Sequence, residues 1–299
     1  MIVVNKLTKK FENFTALNKL SCTIPGGCIY GLVGSNGAGK STLLRLITGI
    51  YKADSGEVTI DGESVFDNPI AKSRFVFVSD DSYFLPHSNM LSMRDIYRSV
   101  YKRFSCERFD TLTKAFALNP TQNLNTFSKG MRRQAATILA LSCMTEYIFF
   151  DETFDGLDPV MRNLVKRALY NDVCERSVTA VITSHSLREL EDTCDQLALL
   201  HKGGVIFESD VQDLKTALFK VQVAFDETFN KEKFDGIDIL NFSRLGSVAT
   251  LIVRGDRIET EKKIRAMKPT LFEILPLSLE EVFVYEMDAL GYEFNDVLV

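Results

Sequence analysis

Short apolar runs, each ending in polar or acidic residues, punctuate the first two thirds of the chain. Residues 2–5 and 20–24 read as short strands, and Pro25-Gly26-Gly27 turns the chain into a buried strand over 28–33. Beyond it, apolar residues at 43, 46, 47 and 50 recur at helical spacing. Residues 56–62 form a hairpin-like segment, and 74–78 form a buried run that ends at Ser79-Asp80-Asp81. Residues 90–118 read as helical, and the Asn-rich stretch 119–125 as a connection. The next helix opens at Thr126-Phe127-Ser128 and runs to about 143, with Ala135, Ile138, Leu139 and Ser142 on one face. Residues 147–150 are a fully apolar strand closed by Asp151-Glu152. Asp158-Pro159 starts another helix, since Asp favours the cap and Pro the first turn. Residues 178–183 are a further buried strand, His185 follows, and Ser186-x-x-Glu189 reads as a capping box. Buried strands alternating with helices predict an α/β fold around a largely parallel sheet, with ligands at the carboxyl ends of its strands.

Near Ser209-Asp210 the pattern changes. Residues 219–225 and 248–253 alternate as strands, 256–267 form a charged helix, and 278–287 an amphipathic one. The expected domains are therefore 1–214 and 215–299, the second a small α+β domain with no phosphate loop of its own. The 299 residues, 45% hydrophobic and 25% charged, are ordinary for a globular protein. A net charge of −5 gives no basis for nucleic-acid binding. No apolar run reaches the ~18 residues of a membrane span, and the N-terminus lacks a signal pattern, so a cytoplasmic protein is expected. The six cysteines form no C-x-x-C pair and read as buried reduced thiols.

The chemistry concentrates in one stretch. Gly34-Ser35-Asn36-Gly37-Ala38-Gly39-Lys40-Ser41 matches G-x-x-x-x-G-K-[ST] between a buried strand and a helix start. Unpaired main-chain N–H groups and the helix dipole make that junction an anion site. Glycines let the backbone approach phosphates, Lys40 reaches the β- and γ-phosphates, and the Ser41 hydroxyl can ligate Mg²⁺. Thr42, next on the helix, joins the nucleotide-binding set. A mere glycine turn would need neither Lys nor Ser at these positions.

Asp151 and Glu152 end a strand where P-loop ATPases hold a metal carboxylate. Asp151 is read as holding Mg²⁺ through water, and Glu152 as orienting or deprotonating the attacking water. Ser128 serves as a helix N-cap, and the same helix start is an anion site for the γ-phosphate of nucleotide held by another copy. His185 is read as a γ-phosphate donor because it follows the acidic strand end by some thirty residues. His87 and His201 read as structural, and no His or Cys spacing suits zinc. Phe11, judged by residue type, reads as core.

Taken in order, these features resemble the ATP-binding cassette (ABC) ATPases over residues 1 to about 215. Phe127-Ser128-Lys129-Gly130-Met131 stands for the family's L-S-G-G-Q, Gly156-Leu157-Asp158 for its D-loop, and His185 for its switch histidine. The resemblance makes Phe11 the adenine-stacking aromatic instead of core. It implies a P-loop ABC ATPase fold with antiparallel β and helical subdomains. It also implies a head-to-tail dimer, with each ATP held between one copy's phosphate loop and the other's Ser128 and Gly130, where Lys129 either adds charge at the γ-phosphate or is solvated. The chain departs from the family at several positions. Asp80, with Asp81 as the second choice, stands at the Q-loop glutamine, from where it would reach Mg²⁺ through water; Lys129 replaces a glycine, Met131 a glutamine, and Thr153 a proline. Lys40, Asp151, Glu152 and His185 remain, so a competent ATPase is expected.

Ser-Lys-Gly-Met-Arg-Arg-Gln, Gly-Leu-Asp-Pro and Ser278-Leu279-Glu280-Glu281-Val282-Phe283 are further similar to separate ATPase subunits of bacterial ABC-2-type exporters of antibiotics and peptide toxins. That resemblance implies a transmembrane permease, which holds the protein on the inner face of the membrane. The aromatics and methionines of residues 80–103 suit either a groove that receives it or the core of the helical subdomain. The second ATPase of the pair is identical or different. An importer fits the same residues. A non-transport ATPase fits less well, given one cassette and an acidic balance.

Overall fold

The computed structural model describes residues 1–154 and 157–289. The chain divides into two compact units between Glu208 and Ser209, where a 214/215 boundary was expected.

The first unit begins with a long hairpin, β1 (Ile2–Phe11) and β2 (Phe14–Ile24), followed by β3 (Ile29–Val33) and helix α1 (Lys40–Ile47). Next come β4 (Ser55–Ile60), β5 (Glu63–Ser64), α2 (Pro69–Lys72) and β6 (Phe75–Val78). A helical segment follows: α3 (Met90–Val100), α4 (Cys106–Ala115) and α5 (Lys129–Ser142). Then β7 (Tyr147–Asp151), α6 (Pro159–Arg176), β8 (Thr179–Ser184), α7 (Leu187–Glu191), β9 (Gln196–His201) and β10 (Gly204–Asp210) complete the fold.

Six strands form the central sheet in the order β10-β9-β3-β8-β7-β6. β9, β3, β8, β7 and β6 run parallel to one another, which sets the carboxyl ends of β3, β8 and β7 side by side. A second, antiparallel sheet, β2-β1-β4-β5, shares one core with it. Ile2, Leu17, Leu32, Leu43, Ile47 and Phe149, drawn from both sheets and α1, belong to that cluster. Close packing there fixes where α1 starts relative to the strand ends.

Three local expectations are corrected. The first hairpin is about twice as long as the two short strands read from the pattern. Its register shifts after Val4, Leu7 and Lys9, and Lys6 and Lys19 lie at φ 48° and 49°, which breaks the two-residue alternation. Residues 90–118 form two helices, because Tyr101 turns extended and Ser105 caps a new helix by accepting from the Arg108 N–H. Ser186 makes no side-chain cap on α7; instead the Ser184 hydroxyl donates to Glu189 at 3.0 Å.

The second unit contains α8 (Val211–Ala217), β11 (Leu218–Ala224), β12 (Ile239–Leu245), β13 (Val248–Arg254), α9 (Arg257–Ala266), β14 (Leu271–Leu275) and α10 (Leu279–Ala289). Its sheet is antiparallel, in the order β12-β13-β11-β14. Phe225, Phe229 and Phe234 pack edge-on or tilted in its core, with centroids 4.9 to 6.1 Å apart. The edge strands β12 and β14 carry exposed polar positions and left no clear pattern in the sequence. Among the described residues, no helix is long and apolar enough to cross a membrane. All six cysteines are free; Cys174 is exposed and Cys28 and Cys106 half-buried, so the expectation of uniformly buried thiols is corrected.

Candidate active site

β3 delivers the chain into the loop 34–39, and the loop delivers it into α1. Both ends depend on glycine. A Cβ on Gly34 would lie 2.4 Å from the Leu200 carbonyl oxygen. Gly39, at φ 107°, is the N-cap of α1 and brings no side chain to cap it, which leaves the first-turn N–H groups to a ligand. The Ala38 N–H donates to the Ser35 carbonyl at 3.1 Å, and the Gly203 N–H braces the loop through the Ala38 carbonyl at 3.1 Å. The Asn36-Gly37 tip is exposed.

Lys40 is only 4% exposed. Its ammonium donates to the Gly34 carbonyl at 2.7 Å and the Ser35 carbonyl at 3.2 Å, and lies 3.4 Å from Glu152 Oε1. The Ser41 hydroxyl donates to Asp151 Oδ1 at 2.8 Å. Thr183, on the adjoining strand β8, donates to the same oxygen at 2.9 Å and accepts the Glu152 N–H at 2.9 Å. Phosphate loop, acidic strand end and β8 thus meet in one hydrogen-bonded cluster. Glu152 leaves the strand with a left-handed backbone, φ 48°. Thr153, where the ABC family has proline, is fully buried, and its hydroxyl donates to the Asp151 carbonyl at 3.3 Å.

Asp151 is 1% exposed. Burial raises its pKa above the ordinary carboxylate value, against the hydrogen bonds from Ser41 and Thr183 and the charge of Arg45. A buried carboxylate that gains from added positive charge, beside a hydroxyl, suits a hard cation such as Mg²⁺. Magnesium takes oxygen ligands and needs only one or two carboxylates when phosphates supply the rest.

The remaining expected residues are spread over neighbouring elements. Ser128 caps α5 by accepting the Met131 N–H at 3.2 Å, and Ser128 and Lys129 are exposed, with Gly130 half-exposed. Asp158 caps α6, accepting from Val160 and Met161 at 3.0 Å. His185 is exposed just beyond β8. Asp80, just beyond β6, is ion-paired with Arg133 of α5. Gly156 lies outside the described residues. Phe11, 40% exposed at the tip of β1, is not core as its residue type suggested. Its ring meets Tyr51 edge-on at 5.5 Å, and Arg45 Nη1 donates to the Tyr51 hydroxyl at 3.2 Å. Of the segment expected to receive a permease, Tyr83 and Leu85 are exposed, whereas Phe84, Met90 and Met93 are buried.

Thr183, Arg45, Tyr51 and Arg133 were missed. One signal existed for Thr183: a hydroxyl inside a fully buried strand requires a partner.

Residues 17–155 match the profile of the ABC transporter family. The chain is 30% identical over 285 residues to the ABC transporter ATP-binding protein YtrB of Bacillus subtilis, covering 95% of this chain and 97% of that protein. It is 28% identical to the bacitracin transport ATP-binding protein BcrA of Bacillus licheniformis, covering 95% and 96%. With the sulfate/thiosulfate import ATP-binding protein CysA of Mycobacterium tuberculosis, identity is 32% over 209 residues, covering 68% and 60%. The solved dimeric post-hydrolysis structure of the cassette MJ0796 with ADP and phosphate superposes at TM-score 0.64 and 23% identity, covering 71% of this chain and 99% of that one.

Proposed function

The chain belongs to the ATP-binding proteins of ABC transporters, ATPases coupled to transport, and from that premise we propose that it powers an exporter of peptides, antibiotics or toxins. Two copies, or this chain and a second ATPase, close head-to-tail on two molecules of ATP, with a transmembrane permease as the partner that places them at the membrane. That the MJ0796 cassette has been solved as a dimer supports the pairing of two such ATPases. An antibiotic or peptide cargo is supported by the similarity to a bacitracin transport protein over 95% of the chain, while the match to the sulfate import protein spans 68% of it.

The observation that carries the ATPase reading is the cluster of Lys40, Ser41, Asp151, Glu152 and Thr183 at the carboxyl ends of three adjacent strands. The loop N–H groups and Lys40 hold the β- and γ-phosphates, and Phe11 stacks on the adenine. Ser41 and Asp151 would hold Mg²⁺, which supplies charge neutralisation for the phosphates. Thr183 fixes Glu152 through its N–H, and Glu152 takes a proton from the attacking water as His185 donates to the γ-phosphate. Ser128, Lys129 and Gly130 meet the same γ-phosphate from the partner, so its loss loosens the pair.

Glu152→Gln tests this reading. The variant is expected to bind ATP, to lose at least a hundredfold in kcat and to elute as an ATP-dependent dimer. Wild-type turnover by that variant would remove Glu152 from the role of base. Reconstitution with the permease in vesicles then separates export from import by the side on which substrate is depleted.

A further inference from the structure

Two adjacent arginines near the start of α5 grip the segment that follows β6. Arg133, 6% exposed, pairs with Asp80, the one carboxylate recorded within salt-bridge distance of it among the described residues. Arg132 Nη2 donates to the Ser82 carbonyl at 2.8 Å, and its guanidinium lies 5.9 Å over the ring of buried Phe84. A guanidinium as buried as that of Arg133 needs an anion beside it, since an unpaired charge out of water is costly. Asp80 follows β6, whose neighbour β7 ends in Asp151, so its carboxylate has two claimants: a cation near Asp151, and Arg133. Turning to the cation would strip Arg133 of its counter-charge. The guanidinium, held on a helix and almost out of solvent, is the claimant that cannot be resolvated.

We propose that Asp80 is a positioning residue and not a metal contact. The Asp80–Arg133 pair, with Arg132 on the Ser82 carbonyl, clamps residues 80–84 to the helix headed by Ser128, so that the two move as one body. This rests on the head-to-tail reading for its functional consequence. The clamp sets how Ser128 presents to the nucleotide of the partner, and leaves the nucleotide affinity of a single protomer alone.

The test uses the full chain carrying Asp80→Asn, Arg133→Met, or both; Met fills the arginine's volume without burying an unpaired charge. Binding of a fluorescent ATP analogue at concentrations too low for dimers, titrated with Mg²⁺, is expected to keep its midpoint in all three. In the Glu152→Gln background, each single change is expected to weaken ATP-dependent dimer formation about threefold, and the double change no more than either single. A metal ligand would behave otherwise: Asp80→Asn alone would raise the Mg²⁺ midpoint, and that result overturns the proposal, as does additivity of the two changes. Hydrogen exchange reads the clamp without any dimer. Both single variants should speed amide exchange across residues 80–86 and the first turn of α5, and unchanged exchange there also overturns it. A Glu152→Gln parent that never dimerises, with exchange still quickened, would refute the head-to-tail reading and leave the clamp standing.

Discussion

Asp151 is held where its charge is expensive. Its raised pKa means that the folded chain binds the proton more tightly than the unfolded one, so stability is greater below the ordinary carboxylate pKa and falls as pH rises through the folded value. At neutral pH the ionised carboxylate therefore weakens the fold. Asp151→Asn, whose side-chain oxygen can still accept from Ser41 and Thr183, is expected to melt higher in the absence of nucleotide, by roughly 2–4 °C for about 1 kcal/mol, while losing ATP hydrolysis. A lower melting temperature would show that the hydrogen bonds to the charged form outweigh its burial. Lys40, Ser41, Asp151 and Glu152 were legible because phosphate and metal chemistry restricts their residue types and their place at a strand end. Thr183 was not, since a β-branched residue in an apolar run looks like strand filler. Arg45 and Arg133 were not, because a helix arginine usually faces water and only packing reveals one that does not.

Helix α1 carries the phosphate-binding Lys40 and Ser41 at its start, and in its last turn Arg45, which reaches the Tyr51 hydroxyl. Tyr51 in turn sets the Phe11 ring edge-on, so a single rigid element spaces the phosphate end of the site from the exposed aromatic. Tyr51→Ala is expected to weaken ATP binding about fivefold, the range of one aromatic pair, and to leave inorganic triphosphate binding unchanged. An equal loss for both ligands would place Tyr51 in support of α1 instead. Elements with one clean signal, the helical period of α5 or the unbroken buried runs of β3, β7 and β8, could be read directly. The β1–β2 hairpin could not, because its register shifts scramble the alternation. The edge strands β12 and β14 escaped because their apolar residues stand in adjacent pairs, Ile239-Leu240, Leu271-Phe272 and Ile274-Leu275, and so break the two-residue alternation.

At the scale of the molecule, each unit has its own buried cluster, and in the second Phe225, Phe229 and Phe234 pack among aliphatic strand residues. A fragment starting at Ser209 is expected to melt cooperatively by near-UV circular dichroism. A featureless, non-cooperative trace would show that its core needs the rest of the chain. The pattern change near Ser209-Asp210 was visible in the sequence, but the helix 211–217 that follows it blurred the boundary. The uneven burial of the cysteines has a practical consequence. Burial pushes the thiol of Cys22 up to about 12 and that of Cys28 to about 11, and raises those of Cys143 and Cys194, so none of the four is a ready thiolate near neutrality. Cys174 stands exposed on α6, the helix that begins at Asp158. A maleimide dye added to the unaltered protein should attach there first, giving spectroscopists a native handle on that helix without engineering a cysteine.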